Sequence, residues 1–339
     1  MPKIAVVGTT TWGTTLAILL ARKGYNVRLL AKDKEEAFVI ENDNQNRRRL
    51  RGVEFPPSLE VSSVPSFVLG SARMVILAVP AQTMRQNAKI ASPYWEEETL
   101  VVSAAKGIEI KTLSLMSQVI ADEFPAEAGS SICALSGPNI AWEIARGHIA
   151  LSTVANADEA MAIKAQEILD TNQFRVYTNP DIIGVQMAGA LKNIIALGAG
   201  MADGLGAGDN AKAAFITRGL AEITRLGLKM GALPLTFAGL SGLGDLITTC
   251  YSRHSRNRRA GEWLARGRSL KQIEFELGGH VIEGIPTTMA ASQMASRHGV
   301  EMPITQGIRR ILSGEVTIEE AVVELMERLP TSEKLASVY

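Results

Sequence analysis

The stretch Lys3-Ile-Ala-Val-Val-Gly-Thr-Thr-Thr-Trp-Gly13 decides the fold. Lys3–Gly8 is a short β-branched, apolar run without polar alternation, as in a strand covered on both faces. Trp12–Lys23 carries helical spacing and stops at Gly24, and Asn26–Ala31 (NVRLLA) is a second strand. Together they make a βαβ unit of the kind that binds dinucleotides. In such a unit Gly8 permits the tight turn, helix-terminal N–H groups face a pyrophosphate, and Gly13 lets helix and strand pack closely. The fingerprint normally has a middle glycine, and Thr10 stands there instead. Its Cβ restricts backbone approach to the phosphates, and its hydroxyl is expected to add a hydrogen bond there.

Working outward, Arg73–Val79, Thr99–Ser103, Ser131–Leu135, His148–Val154 and Phe174–Tyr177 are further apolar strands separated by helical segments. The passage between Ala31 and Arg73 reads as charged and loop-rich. The pattern predicts an α/β fold, a Rossmann-type doubly wound, mostly parallel sheet. After Asn179-Pro180 helices dominate: Ile182–Met201, Ala211–Leu228, Leu235–Ala238, Arg258–Arg266, Ser269–Glu276, Thr287–His298, Pro303–Ser313 and Thr317–Arg328. Gly204–Gly208 and Gly239–Gly244 read as glycine-rich turns, and Ser269 and Thr317 as N-caps, the latter in capping-box spacing with Glu320. The expected organisation is a dinucleotide domain over 1–180, an all-helical substrate domain over 181–330 and a tail over 331–339.

Composition narrows the class. Lys+Arg and Asp+Glu are both 35 in 339 residues, which removes the electrostatic footprint of a dedicated nucleic-acid binder. Cys133 and Cys250 lie far apart with no CxxC spacing, so neither a disulfide framework nor a structural metal site is expected. Both read as small buried hydrophobes in a reducing, cytoplasmic compartment. Ile182–Met201 is the most hydrophobic stretch, but Gln186, Lys192 and Asn193 fit a buried core helix better than a membrane span.

Several polar residues sit where burial is costly unless they act. Lys192 lies in an apolar helix of small residues (AGALKNIIA), where burial favours proton exchange near neutral pH. Asp245 follows a glycine-rich turn and precedes Leu246-Ile-Thr-Thr249. Ser255-Arg256-Asn257 offers a planar guanidinium beside two short polar groups, suited to a phosphate. Lys106 ends a strand, at the carboxyl edge where open α/β sheets bind ligands. Each has an ordinary alternative as an ion pair, a cap or a snorkelling lysine; their order behind a dinucleotide unit favours a site. Ala31 occupies the position where an acidic residue would select NAD. With Lys32 beside it the strand end admits NADP, while Asp33 keeps NAD open.

In these residues and their order the chain resembles the bacterial NAD(P)-dependent glycerol-3-phosphate dehydrogenases. The resemblance rests on Trp12-Gly13, Ala105-Lys-Gly107, Ser136-Gly-Pro138, Leu191-Lys-Asn193, Gly242-Leu-Gly-Asp-Leu246, His254-Ser-Arg-Asn257 and Val281-Ile-Glu-Gly284, spread over nearly the whole chain. It implies reversible hydride transfer between NAD(P)H and dihydroxyacetone phosphate, giving sn-glycerol 3-phosphate for phospholipid synthesis, by a two-domain protein that is commonly a homodimer; that chemistry requires no metal, and the sequence suggests none. Lys192 matches the family's proton donor and acceptor, and Lys106 and Asp245 match residues of its substrate site. Gly137 and Asn139 match the substrate-contacting loop, and Ser255, Arg256 and Asn257 the phosphate-binding run. Asn193 and Thr249 match polar neighbours. Thr11, Trp12, Lys32, Ala141, Val281 and Glu283 match the family's cofactor contacts, with Arg256 also reaching the cofactor; Gly8, Thr10 and Gly13 of the opening turn, together with Lys106, complete the expected cofactor set.

Three departures stand out: Thr10, Asn139 in place of Ser or Thr, and Arg49-Leu-Arg-Gly52 in place of Tyr-Leu-Pro-Gly. The basic run Arg47–Arg49 is either a solvated loop or a source of one arginine near the adenosine phosphate. Two other readings are a dehydrogenase of the same architecture acting on a 3-hydroxy acid and a non-catalytic nucleotide sensor. The His-Ser-Arg-Asn run argues against the first, and a lysine placed for proton transfer against the second.

Overall fold

A computed structural model describes residues 2–329; the tail expected from 331 lies outside the described residues. The chain forms two compact units. One holds the chain up to Lys106 together with Leu115–Ile182, and the other holds Gly107–Ser114 and the chain from Ile183.

The first unit runs β1 (Lys3–Val7), α1 (Thr11–Arg22), β2 (Asn26–Leu30), α2 (Lys34–Asn42), β3 (Leu59–Ser62), α3 (Pro65–Leu69), β4 (Met74–Leu77) and α4 (Met84–Ala91). It continues with β5 (Leu100–Ser103), α5 (Met116–Ala121), β6 (Ile132–Ser136), α6 (Ala141–Ala145), β7 (Ala150–Ala155), α7 (Glu159–Leu169) and β8 (Phe174–Asn179). Among the described residues these strands form one sheet in the order β3-β2-β1-β4-β5-β6-β7-β8. Strands from β3 to β6 pair in parallel, β7 runs antiparallel to β6, and β8 parallel to β7. Ile4 and Val6 enter the core on one face of β1, and Ala5 and Val7 the core on the other. This two-sided burial is the reason the opening strand shows no polar alternation. β8 closes the sheet with Phe174 and Val176 buried and Arg175 and Tyr177 exposed.

The passage expected to be loop-rich contains α2, β3 and the five-residue α3. In α2 only Ala37 and Ile40 are buried, so its composition hides the helix; Asp33 marks its start by accepting from the Glu36 N–H. β3 is four residues long and lies at the sheet edge, too short to leave a periodic signal.

Apart from the non-helical segment Gly107–Ser114, the regular elements of the second unit are helices among the described residues: α8 (Ile182–Leu205), α9 (Gly208–Lys229), α10 (Pro234–Ala238), α11 (Asp245–Tyr251), α12 (Arg256–Ala265), α13 (Leu270–Glu276), α14 (Gly284–His298), α15 (Pro303–Leu312) and α16 (Ile318–Met326). α8 is long and apolar enough to cross a membrane, yet every residue from Gly184 to Met201 is buried within the protein. It is the core helix of this unit. Ser269 and Thr317 close the capping boxes at the starts of α13 and α16. The glycine-rich segment before Asp245 winds as one wide π-type turn, Leu240–Gly244, and continues directly into α11. Glycine is required inside it, because a Cβ on Gly242 would lie 2.1 Å from the Phe237 carbonyl oxygen.

Candidate active site

In the first unit the turn after β1 has the geometry of a phosphate cradle. Gly8 has φ +105°, and a Cβ there would sit 2.7 Å from Val79. A Cβ on Gly13 would lie 2.1 Å from the Gly8 carbonyl oxygen. Both glycines are therefore fixed by space. Thr10 is not strained: its φ of −63° is open to any residue, and it is the N-cap of α1. Its Oγ1 accepts from the Gly13 N–H at 3.0 Å and donates to the Ala78 carbonyl at 2.7 Å. This corrects the expectation that the hydroxyl serves the pyrophosphate; its donor holds the turn onto the chain beyond β4. Thr11 and Trp12 open α1, and Trp12 packs edge-on against Phe174 with ring centroids 6.1 Å apart. The Thr15 hydroxyl reaches the Ala141 carbonyl at 3.1 Å, joining α1 to the start of α6.

Asn46 escaped the sequence reading. It is 2 % exposed, and its Nδ2 donates to the Thr9 carbonyl and to Thr14 Oγ1, both at 2.9 Å. Its own carbonyl oxygen accepts from the Leu50 N–H, so the arginine run Arg47–Arg49 is pinned against the opening turn. The only sequence trace was an asparagine ahead of the run. At the end of β2, Ala31 is buried and Lys32 is exposed, 3.4 Å from Asp33. Asp33 accepts from the Glu36 N–H, which holds its carboxyl below the usual range, while Glu36 accepts from the Lys32 N–H. Both carboxylates therefore cap backbone donors.

Lys106, just beyond β5, donates from Nζ to the Gly137 carbonyl at 2.8 Å. The backbone approaches closely there: a Cβ on Gly137 would lie 2.9 Å from Ser152 Cα. Asn139 is held from both ends of its amide. Nδ2 donates to the Leu151 carbonyl at 3.1 Å, and Oδ1 accepts from the Ser152 hydroxyl at 3.0 Å. The bulkier asparagine thus braces its loop against β7.

In the second unit the fold brings together Lys192, Asp245 and Thr249. Lys192 is 5 % and Asp245 2 % exposed. Lys192 Nζ lies 2.6 Å from Asp245 Oδ1 and 2.5 Å from Thr249 Oγ1, and the threonine hydroxyl donates to Asp245 Oδ1 at 3.2 Å. A buried ammonium survives only with such partners, and an unpaired one would shed its proton. Beside it, Asn257 Nδ2 donates to Asn193 Oδ1 at 2.8 Å, and Asn257 Oδ1 accepts from the Gly284 N–H at 2.9 Å. Asn257 therefore ties α12 to both α8 and α14. Ser255 is the N-cap of α12 and accepts from the Arg258 N–H. Arg256 donates to the Val281 carbonyl at 3.1 Å, placing it with Val281 and Glu283 ahead of α14. The start of α12 thus joins a guanidinium, a hydroxyl and helix-terminal N–H groups, a set suited to a phosphate dianion.

Both cysteines are free and buried, and burial pushes Cys133 up to about 11 and Cys250 to about 12. They take no part as thiolates at neutral pH.

A Rossmann-type unit with a dinucleotide cradle and a helical unit holding a buried lysine–aspartate pair define a nicotinamide-dependent dehydrogenase. Sequence profiles of the NAD-dependent glycerol-3-phosphate dehydrogenase N-terminus and C-terminus match residues 3–162 and 181–323. The chain belongs to this family. The glycerol-3-phosphate dehydrogenase [NAD(P)+] of Chlorobium luteolum is 45% identical over 331 residues, covering 98% of this chain and 99% of the relative. That of Moorella thermoacetica is 46% identical over 331 residues, 97% of each. The crystal structure of glycerol-3-phosphate dehydrogenase from Coxiella burnetii superposes with a TM-score of 0.91 at 35% identity, covering 96% of this chain and 99% of that one.

Proposed function

We propose that this chain reduces dihydroxyacetone phosphate to sn-glycerol 3-phosphate, reversibly, with NADH or NADPH, supplying glycerophospholipid synthesis. The observation that carries the chemistry is the buried Lys192–Asp245–Thr249 constellation. The cofactor fits this chain, because any Cβ at Gly8 or Gly13 would fill the turn that receives its pyrophosphate. When bound, the nicotinamide supplies or accepts the hydride. The protein's own task is to meet the charge that grows on the ketone oxygen.

Lys192, as ammonium, hydrogen-bonds that oxygen and then protonates it from Nζ. Asp245 keeps the lysine charged while the substrate is absent, and Thr249 fixes the direction of Nζ. Lys106 orients the carbonyl and the neighbouring hydroxyl. Arg256 and Ser255 hold the phosphate, whose remote binding energy orients the ketone for transfer. Asn257 serves that run by bracing α12 through its side-chain amide. Gly137 and Asn139 shape the loop beside Lys106, and Thr11, Trp12, Lys32, Ala141, Val281 and Glu283 line the cofactor. The working form is a cytoplasmic homodimer.

A spectrophotometric assay of dihydroxyacetone phosphate reduction with NADH and NADPH side by side tests the reading. Turnover with at least one cofactor is expected. Faster turnover of a 3-hydroxy acid would overturn the substrate assignment, and cofactor binding without turnover of any substrate would favour a sensor.

A further inference from the structure

A second buried lysine lies outside this chemistry. Lys212, in the first half of α9, is 7 % exposed. Its Nζ lies 2.8 Å from Asp203 Oδ1 and 2.9 Å from Oδ2. The same carboxylate faces Arg258 Nε at 3.4 Å, and Arg258 in turn donates to Glu262 at 2.8 Å. Lys212 Nζ also stands 4.5 Å from the ring centroid of Tyr251, the last residue of α11. One ion pair therefore touches α8, α9, α11 and α12.

Three of those helices carry the reaction. α8 bears Lys192 and Asn193, α11 bears Asp245 and Thr249, and α12 begins with Arg256 and Asn257. Asp203 follows Lys192 by about three helical turns, so the two share a face of α8. Backbone packing leaves α12 little room against α8. A Cβ on Gly200 would lie 1.8 Å from the Arg258 carbonyl oxygen, and one on Gly261 would lie 1.9 Å from that of Leu197. Such contact sets the separation of the helices, but glycine surfaces have no knobs to stop one helix sliding along the other. The Asn193–Asn257 bond fixes the slide at one end, and Asp203 with Arg258 and Lys212 fixes it farther along.

We propose that the Lys212–Asp203 pair is a positioning element for the reaction: it holds the anion-binding start of α12 and the end of α11 in register with α8. The inference rests on the reading that α12 holds the substrate phosphate and Lys192 moves the proton. Lys212 touches neither substrate nor cofactor in this account. Its effect is felt through the helices it ties, and so through the use of phosphate binding energy.

Lys212→Met keeps the length of the side chain and removes its charge; Asp203→Asn removes the anion and serves if the first variant does not fold. For either, kcat/KM with dihydroxyacetone phosphate should fall about 10-fold or more, chiefly through KM. With unphosphorylated dihydroxyacetone at high enzyme concentration it should stay within about 2-fold. Lys212→Arg, which keeps the cation, should return the phosphorylated substrate to within about 3-fold of the parent. Equal losses for both substrates, no loss at all, or no recovery with arginine would each overturn the proposal. Arg256→Ala run in parallel separates the two layers. If it leaves KM unchanged, the phosphate reading fails; if it raises KM while the Lys212 and Asp203 variants do not, only the positioning role fails.

Discussion

Replacing Lys192 by Met should end turnover and also loosen the protein, and adding Asp245→Leu should repair the second defect without the first. The pair is 2.6 Å apart with side chains 7 % and 2 % exposed, so solvent screening gives little relief when one member is lost. Orphaning a buried charge costs about 3–5 kcal/mol. The Thr249 hydroxyl stays within reach of Asp245, which puts the loss near the lower end. At about 2–4 °C per kcal/mol for a domain of this size, a 3 kcal/mol loss is a fall in Tm of roughly 6–12 °C. Leucine closely matches aspartate in shape and asks for no partner, so the double variant should regain most of that fall. The coupling in a double-mutant cycle should then exceed about 2 kcal/mol. Calorimetry or urea melts give the stabilities, and single-turnover oxidation of NADPH gives the chemistry, where losing the acid should cost about 10²–10⁴-fold. A coupling below about 0.5 kcal/mol would refute the buried-pair reasoning. So would a single variant retaining more than about a tenth of the parent rate.

Arg256→Ala should raise KM for dihydroxyacetone phosphate and weaken the cofactor, since the guanidinium belongs to the start of α12 and reaches the Val281 carbonyl; initial-rate kinetics with unchanged KM for both would refute the anchor. Thr10→Gly removes the cap and the bond to Ala78, so Tm should fall by an amount matching about 1 kcal/mol while the NADPH Kd moves less than about 3-fold. A large change in Kd without a change in Tm would return the hydroxyl to the pyrophosphate. Glu222, in the middle of α9, caps α15 by accepting from the Ile304 and Thr305 N–H groups, and burial pushes its carboxyl up despite those bonds. A proton held more tightly when folded stabilises fully below the unfolded value, and that share is lost as pH rises through the folded one. Glu222→Gln should therefore be destabilised by about 1–3 kcal/mol, because an amide N–H faces a backbone donor. Urea melts at pH 5 and 8 should show less loss with rising pH than in the parent; parallel slopes would refute the assignment.

The sequence by itself determined the class of fold. The uninterrupted apolar strands, Gly8, Gly13 and the change to helical periodicity after Asn179-Pro180 follow from local sterics and two-sided burial, which leave their mark residue by residue. It also exposed Lys192, because a charge among small apolar residues is conspicuous wherever the helix goes. The tertiary structure decided what depends on partners distant in the chain. α2 and β3 escaped because α2 buries so few residues and β3 is short and peripheral. Asn46 is meaningful only once Thr9 and Thr14 lie beside it. Thr10 looked like a defect at the phosphate and is a cap tied to Ala78, while Asn139 and Asn257 are braces whose hydrogen-bond partners lie on other elements. A side chain's chemistry is written in its residue type, but its role is set by which donors and acceptors the folded chain puts within about 3 Å of it.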